Sequence, residues 1–285
     1  MTFVKDLLHH ISLFLVLYFL VAVLTVFTSN DVIILSFTPF ICYFAKNAHI
    51  SPIPYLAAEF VAANTWSMAL VIGNPTNIYL AGTAGINFGE YLTVMALPTL
   101  LTGVTAFGAL CLIFRKKLSL PLSVKENEKP ESDIPLMIIG GVHLGICILL
   151  MAVSSLLNIP MWIVSVICFF SQYLCSFVYC VFTKKLMYVL ESLRRAPIIT
   201  VPFVLSMFTI VLALVNTGAT QAVSKYLLEG QSILKCGVSS FLASNLINNI
   251  PMSVLFSALV GEDKAAVYAS VVGSNLGAFL TPVGA

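Results

Sequence analysis

Charge is scarce in this 285-residue chain. Only 9% of residues are charged and 59% are hydrophobic, whereas a soluble globular domain carries about 25% charged residues. That composition excludes a water-soluble domain and offers nothing to nucleic acid. The net charge of +2 matters less than where the charges lie. Enzyme signatures are missing too. There is no HExxH, no GxSxG and no P-loop GxxxxGK[ST], so the chain does not itself hydrolyse ATP and reads as a non-enzyme. The seven cysteines form no CxxC pair and lie mostly inside apolar runs, as small buried hydrophobes do. Four scattered histidines indicate no metal centre, and no cofactor is expected. No cleavable signal peptide is expected, because the first apolar run is long enough to stay in a bilayer.

Apolar runs dominate the chain. Segments of spanning length read as 8–28, 53–72, 90–114, 134–156, 160–182 and 197–216. Shorter or interrupted runs cover 232–248, 250–260 and 264–280, and 32–45 is too short to cross alone. Several runs are broken by polar residues: Thr28-Ser29-Asn30-Asp31 and Gly73-Asn74-Pro75-Thr76-Asn77 in the first half, Asn248-Asn249-Ile250-Pro251 and Gly273-Ser274-Asn275-Leu276-Gly277 in the second. A bilayer has no water to satisfy backbone groups freed at such breaks, so they are tolerated where they line a cavity. Paired breaks in two halves point to a transporter's binding site at the membrane midplane.

A polar linker, 115–133, separates a first repeat (1–114) from a second (134–285). Lys and Arg set the orientation. With 8–45 as a hairpin entering and leaving on one side, and 53–88 crossing once through a break, 11 of the 14 basic residues fall inside and three (Lys225, Lys235 and Lys264) outside. A second hairpin, about 232–260, then enters from the outside, followed by a broken helix over 264–285. The expected fold is an all-α integral membrane protein in the plasma membrane, an inverted-repeat transporter with two re-entrant hairpins and two broken helices.

Two acids lie within apolar segments. Asp31 at the first hairpin tip is a candidate to bind Na⁺ or exchange a proton, against the alternative of an N-cap. Glu59 is a candidate proton relay, or else it snorkels to the inner interface. Asn30, Asn74, Thr76, Asn77, Asn248, Asn249, Ser274 and Asn275 supply amides and hydroxyls for a ligand. Half-helix N-termini there offer free N–H groups and unwound carbonyls offer acceptors. The alternative for each is interhelical hydrogen bonding without a ligand, a role that suits Asn64 and Thr65 better.

The stretches Phe27 to Pro39, Gly73 to Asn77, Leu193 to Pro197 with Val201 to Met207, Ser244 to Pro251, and Gly273 to Gly277 with Thr281 to Gly284 resemble, in order, the arsenical pump membrane protein family of the ion transporter superfamily. The resemblance implies an inverted-repeat helical transporter that exports arsenite or antimonite in exchange for protons. It also allows a soluble ATPase subunit and a second copy of the chain as partners. The family is longer at both ends, so the chain is expected to be a fragment. Dicarboxylate carriers of the superfamily have Ser-Asn-Thr at both tips; here the tips read Ser29-Asn30-Asp31 and Asn248-Asn249-Ile250. A carboxylate at a tip repels a dianion and favours a neutral hydroxide or a cation. The other readings are a Na⁺/H⁺ antiporter, an anion carrier, and an inactive fragment or non-transporting membrane scaffold.

Overall fold

A computed structural model describes residues 2–119, 133–154, 157, 159–195, 198, 200–218, 225 and 233–280. Most of the linker, the Ala196-Pro197 pair, the start of the second hairpin and the stretch from Thr281 onward lie outside the described residues. Every regular element among the described residues is helical: α1 (Thr2–Phe27), α2 (Asn30–Asn47), α3 (Ile53–Trp66), α4 (Pro75–Thr83), α5 (Phe88–Leu118), α6 (Ile134–Ser154), α7 (Met161–Phe182), α8 (Leu186–Arg195), α9 (Thr200–Asn216), α10 (Ile233–Ile247), α11 (Asn249–Val260) and α12 (Lys264–Gly277). Four of these are long and apolar enough to cross a membrane: His10–Phe27, Phe88–Leu118, Ile134–Met151 and Trp162–Phe182.

The chain forms two compact units, one of residues 1–126 and 207–285, the other of 127–206. Elements from both halves of the sequence therefore pack together within the first unit. Its core is aromatic. Phe14, Tyr18, Phe19, Trp66 and Phe107 cluster where α1, α3 and α5 meet, and the Tyr18 hydroxyl donates to the Gly103 carbonyl at 2.7 Å. Only Thr28 and Ser29 separate α1 from α2. Ser29 is extended (φ −117°, ψ 145°), which turns the chain. His10 of α1, His49 just past α2, Tyr55 in the first turn of α3 and Lys117 at the end of α5 line one cavity of about 250 Å³. His10, in the third turn of α1, and the end of α2 are thus at one level, so the two helices run back to back as a hairpin.

Past Trp66 the helix breaks. Two single 3₁₀ turns, Ser67–Ala69 and Val71–Gly73, are separated by an extended Leu70 (φ −120°, ψ 150°). Asn74 is also extended, and Pro75 starts α4, where its fixed φ suits a first helical turn and its missing N–H costs nothing. A Cβ on Gly73 would collide with the Ser67 carbonyl, so only glycine lets the break fold this tightly.

The second half behaves differently at its glycines. α12 runs unbroken through Gly273 and ends at Gly277, the last residue of the stretch where a break was expected. A Cβ on Gly273 would strike the Ser240 hydroxyl and the Gly237 carbonyl of α10. Gly273 thus allows backbone contact between two helices, as small residues do in membranes. At the second tip Asn248 sits at φ 72°, ψ 159°, a conformation that non-glycine residues adopt only under strain. Its side chain accepts from the Ile250 N–H at 3.2 Å and caps α11.

In the second unit α6 and α7 pack together, and α8 follows a left-handed turn at Lys184 (φ 57°). Asp133, just before α6, accepts from the Tyr179 hydroxyl (3.0 Å) and the Lys185 ammonium (2.7 Å), tying α6 to the end of α7.

Candidate functional site

The break in the first half is where polar groups gather. The Asn77 amide donates to the carbonyls of Ser67 (2.9 Å) and Leu70 (3.3 Å), the latter also accepting from the Gly73 N–H (3.1 Å). These bonds tie α4 to the irregular turns, whose polar groups must be satisfied in a bilayer interior. The Asn74 carbonyl oxygen accepts from the Thr76 N–H (3.0 Å) and caps α4. Asn275 of α12 enters from the second half. Its oxygen accepts from the Asn74 amide (3.1 Å) and lies 3.1 Å from the Ser67 hydroxyl. Its own amide donates to the Asn77 oxygen (3.1 Å) and to the Val271 carbonyl (2.9 Å). Asn74, Thr76, Asn77 and Asn275 are all buried.

The first hairpin tip reaches the same place. The buried Asn30 amide donates to the Asn64 oxygen at 3.2 Å, and the Ser67 hydroxyl also lies 2.9 Å from the Asn64 carbonyl. One network therefore runs from the tip through α3 and the break to α12. It contains five of the eight candidate ligand residues. The other three lie elsewhere: Asn248 caps its own helix, the Ser274 hydroxyl turns back to the Val271 carbonyl, and Asn249 is buried in the first turn of α11, a helix that packs on α4 and α12. Asn64, expected to hydrogen-bond between helices, does so with Asn30 and joins the network; Ser67, also a member, has no signal in the sequence beyond lying ahead of Gly73-Asn74-Pro75.

The network carries no charged side chain. Two hydroxyls beside it, Thr65 Oγ1 and Thr76 Oγ1, are buried with no partner among the described residues. Each leaves hydrogen-bonding capacity that calls for a ligand or a water.

The sequence pattern of the citrate transporter family matches residues 7–281. The chain belongs to the citrate transporter family. It is similar to the arsenical pump membrane protein of Yersinia enterocolitica, 29% identical over 250 residues, and to that of Escherichia coli K12, 30% identical over 251. Each match covers 80% of this chain and 56% of the relative. An uncharacterized transporter of Mycobacterium tuberculosis is 25% identical over 264 residues, covering 83% of this chain and 58% of the relative. The chain spans about half the length of the curated relatives it matches. Membership of the citrate transporter family and the spanning helices make it a multi-pass protein of the cell membrane.

In this member of the citrate transporter family the two acids are placed differently. Asp31 stands in the first turn of α2 with its residue exposed, outside the amide network. Glu59, on α3, is 1% exposed. Both its oxygens lie near the Thr38 hydroxyl of α2, at 3.2 and 3.1 Å. A hydroxyl has one proton to give, and no cationic side chain bonds Glu59 among the described residues. An ion in apolar surroundings with so little compensation is costly.

Proposed function

We propose that the chain forms the solute and coupling site of a secondary transporter that exports arsenite or antimonite in exchange for protons. The observation that carries the reading is the meeting of Asn30, Asn74, Asn77 and Asn275, from both halves of the sequence, at one break in α3–α4. Discontinuous helices with such residues bind solutes in transporters built from repeats. The solute class follows from the lining. Amides and hydroxyls without a basic residue suit a neutral trihydroxide, whose hydroxyls both donate and accept. A carboxylate anion, the solute in the family's name, needs cationic or metal partners that this network does not hold. The similarity to arsenical pumps points the same way.

Glu59 fits the coupling role better than Asp31. Its burial makes the neutral acid or a cation-paired carboxylate the affordable state, so proton gain and loss are tied to what surrounds it. Na⁺/H⁺ exchange is the second reading. It is favoured by the same lone carboxylate. A soluble ATPase subunit and a second copy of the chain remain the partners of the whole protein in this proposal.

The test is arsenite accumulation in arsenite-sensitive cells making the whole protein. Accumulation falls with the natural sequence and rises again with Asn30→Ala or Thr76→Val. Unchanged accumulation with the natural sequence contradicts arsenite export.

A further inference from the structure

The cavity lined by His10, His49, Tyr55 and Lys117 has no part in the solute site, yet it lies on the same helix as Glu59. His10 Nδ1 and the Tyr55 hydroxyl are 2.7 Å apart, and both side chains are buried, at 2% and 3% exposure. Tyr55 and Glu59 are four residues apart on α3 and share its buried face. At that spacing Cβ atoms are about 5–6 Å apart, and helical side chains lean toward the N-terminus. The Glu59 oxygens bond the Thr38 hydroxyl and make no direct bond to Tyr55, whose hydroxyl turns to His10, so a gap of one helical turn separates the two groups. The described lining of the cavity holds two imidazoles, a phenol, the Ser51 hydroxyl and the Lys117 ammonium, with no carboxylate. At about 250 Å³, it is roomy and polar enough to hold water. Lys46, Arg115 and Lys116 stand at the same end of α2 and α5, the end that the positive-inside rule assigns to the cytoplasm.

We infer that Glu59, Tyr55 and His10 form a proton relay between the coupling carboxylate and this cavity, which opens on the cytoplasmic side. The inference rests on the reading of Glu59 as the coupling acid. In the relay the Glu59 carboxyl proton passes through one bridging water to the Tyr55 oxygen while the Tyr55 hydroxyl proton passes to His10 Nδ1. His10 releases a proton from Nε2 to water in the cavity. The tyrosine ends as it began, the imidazole ends as its other tautomer and resets when the ring turns and gives its Nδ1 proton to water in exchange for one at Nε2, and one proton has left Glu59. Of the titratable groups facing the path, His10 and Tyr55 carry it. His49 and Lys117 line the exit and disfavour a proton lingering there.

The test follows the Glu59 carboxyl directly and needs no solute. In the whole protein, infrared difference spectra after a pH jump show the protonated-carboxyl band of Glu59, assigned by its loss in Glu59→Gln. The relay predicts that Tyr55→Phe and His10→Ala slow the change of this band about tenfold or more, the scale on which a positioned acid–base group acts. It also predicts that added imidazole restores the rate in His10→Ala, where the cavity has room for it. A band that changes at the natural rate in both variants overturns the relay and leaves Glu59 as the coupling acid. A band that never changes removes the coupling reading and the relay together. If His10→Ala does not fold, Tyr55→Phe decides alone, since it keeps the ring and deletes only the hydroxyl.

Discussion

Asn64 and Asn275 occupy the same place in two helices of equal length. α3 and α12 each have 14 residues, and each asparagine stands two residues before the last. Each donates its amide to the carbonyl four residues back, Phe60 at 3.0 Å and Val271 at 2.9 Å. The helices around them match as well: α1 packs on α3 as α10 packs on α12, and α2 on α3 as α11 on α12. In this register Glu59 corresponds to Ser270, whose hydroxyl bonds the Ala266 carbonyl. Among the described residues that position of the second half has no counterpart of the buried acid, so the coupling proposed above falls to the first half.

Asn275 uses both lone pairs and both amide protons. Asn275→Ala strands the buried Asn74 amide and the Asn77 oxygen, and is expected to cost about 1–3 kcal/mol. Thermal unfolding in detergent measures this. A double-mutant cycle with Asn74→Ala should show coupling of roughly 0.5–2 kcal/mol; additive effects would show that the Asn74–Asn275 bond contributes little.

Gly273→Ala should lower the unfolding midpoint, because its methyl meets the Gly237 carbonyl and the helices must part, at a cost of about 1–3 kcal/mol. Gly82→Ala is the control. Nothing lies within 4 Å of its added methyl, and alanine is the better helix former by roughly 1 kcal/mol. Equal effects at the two positions would refute close packing of α10 on α12.

The Asp133–Lys185 bridge gives a pH dependence to the second unit. The Lys185 hydrogen bond holds the Asp133 carboxyl below its usual range, and the same bond raises the Lys185 ammonium. A depressed carboxyl contributes stability above its unfolded value of about 3.9, lost as pH falls through the folded one; a raised ammonium contributes below about 10.4, lost as pH rises through its folded value. The bridge is therefore complete between roughly pH 4 and 10. Asp133→Asn should speed hydrogen exchange at the start of α8 at neutral pH, and the difference from the natural protein should vanish once Asp133 is protonated. A difference that persists in acid assigns the effect to packing instead.

The helical fold was legible because membrane-length apolar runs leave few alternatives. Pro75 and two asparagines made a break near Gly73-Asn74 legible; that it begins earlier, past Trp66, and that Thr76 and Asn77 lie inside α4 was not. Gly273 itself does not interrupt α12, where it serves contact with α10; the helix ends at Gly277, two residues past Asn275, as α3 ends two residues past Asn64. Asp31 is the acid at the tip, yet α2 is apolar on most sides, so periodicity does not say which face is covered. Thr38, which meets Glu59, and Tyr55, which meets His10, depend on pairings 21 and 45 residues apart, beyond what local pattern carries.

Proton movement driven by arsenite tests the central claim most directly. In vesicles containing the whole protein with a pH-sensitive dye inside, an arsenite gradient should move protons the opposite way. Glu59→Gln should abolish that movement while arsenite-for-arsenite exchange continues, and Asp31→Asn should leave it within about twofold, since a surface substitution has little to disturb. Loss of proton movement in Asp31→Asn with full movement in Glu59→Gln would contradict the account.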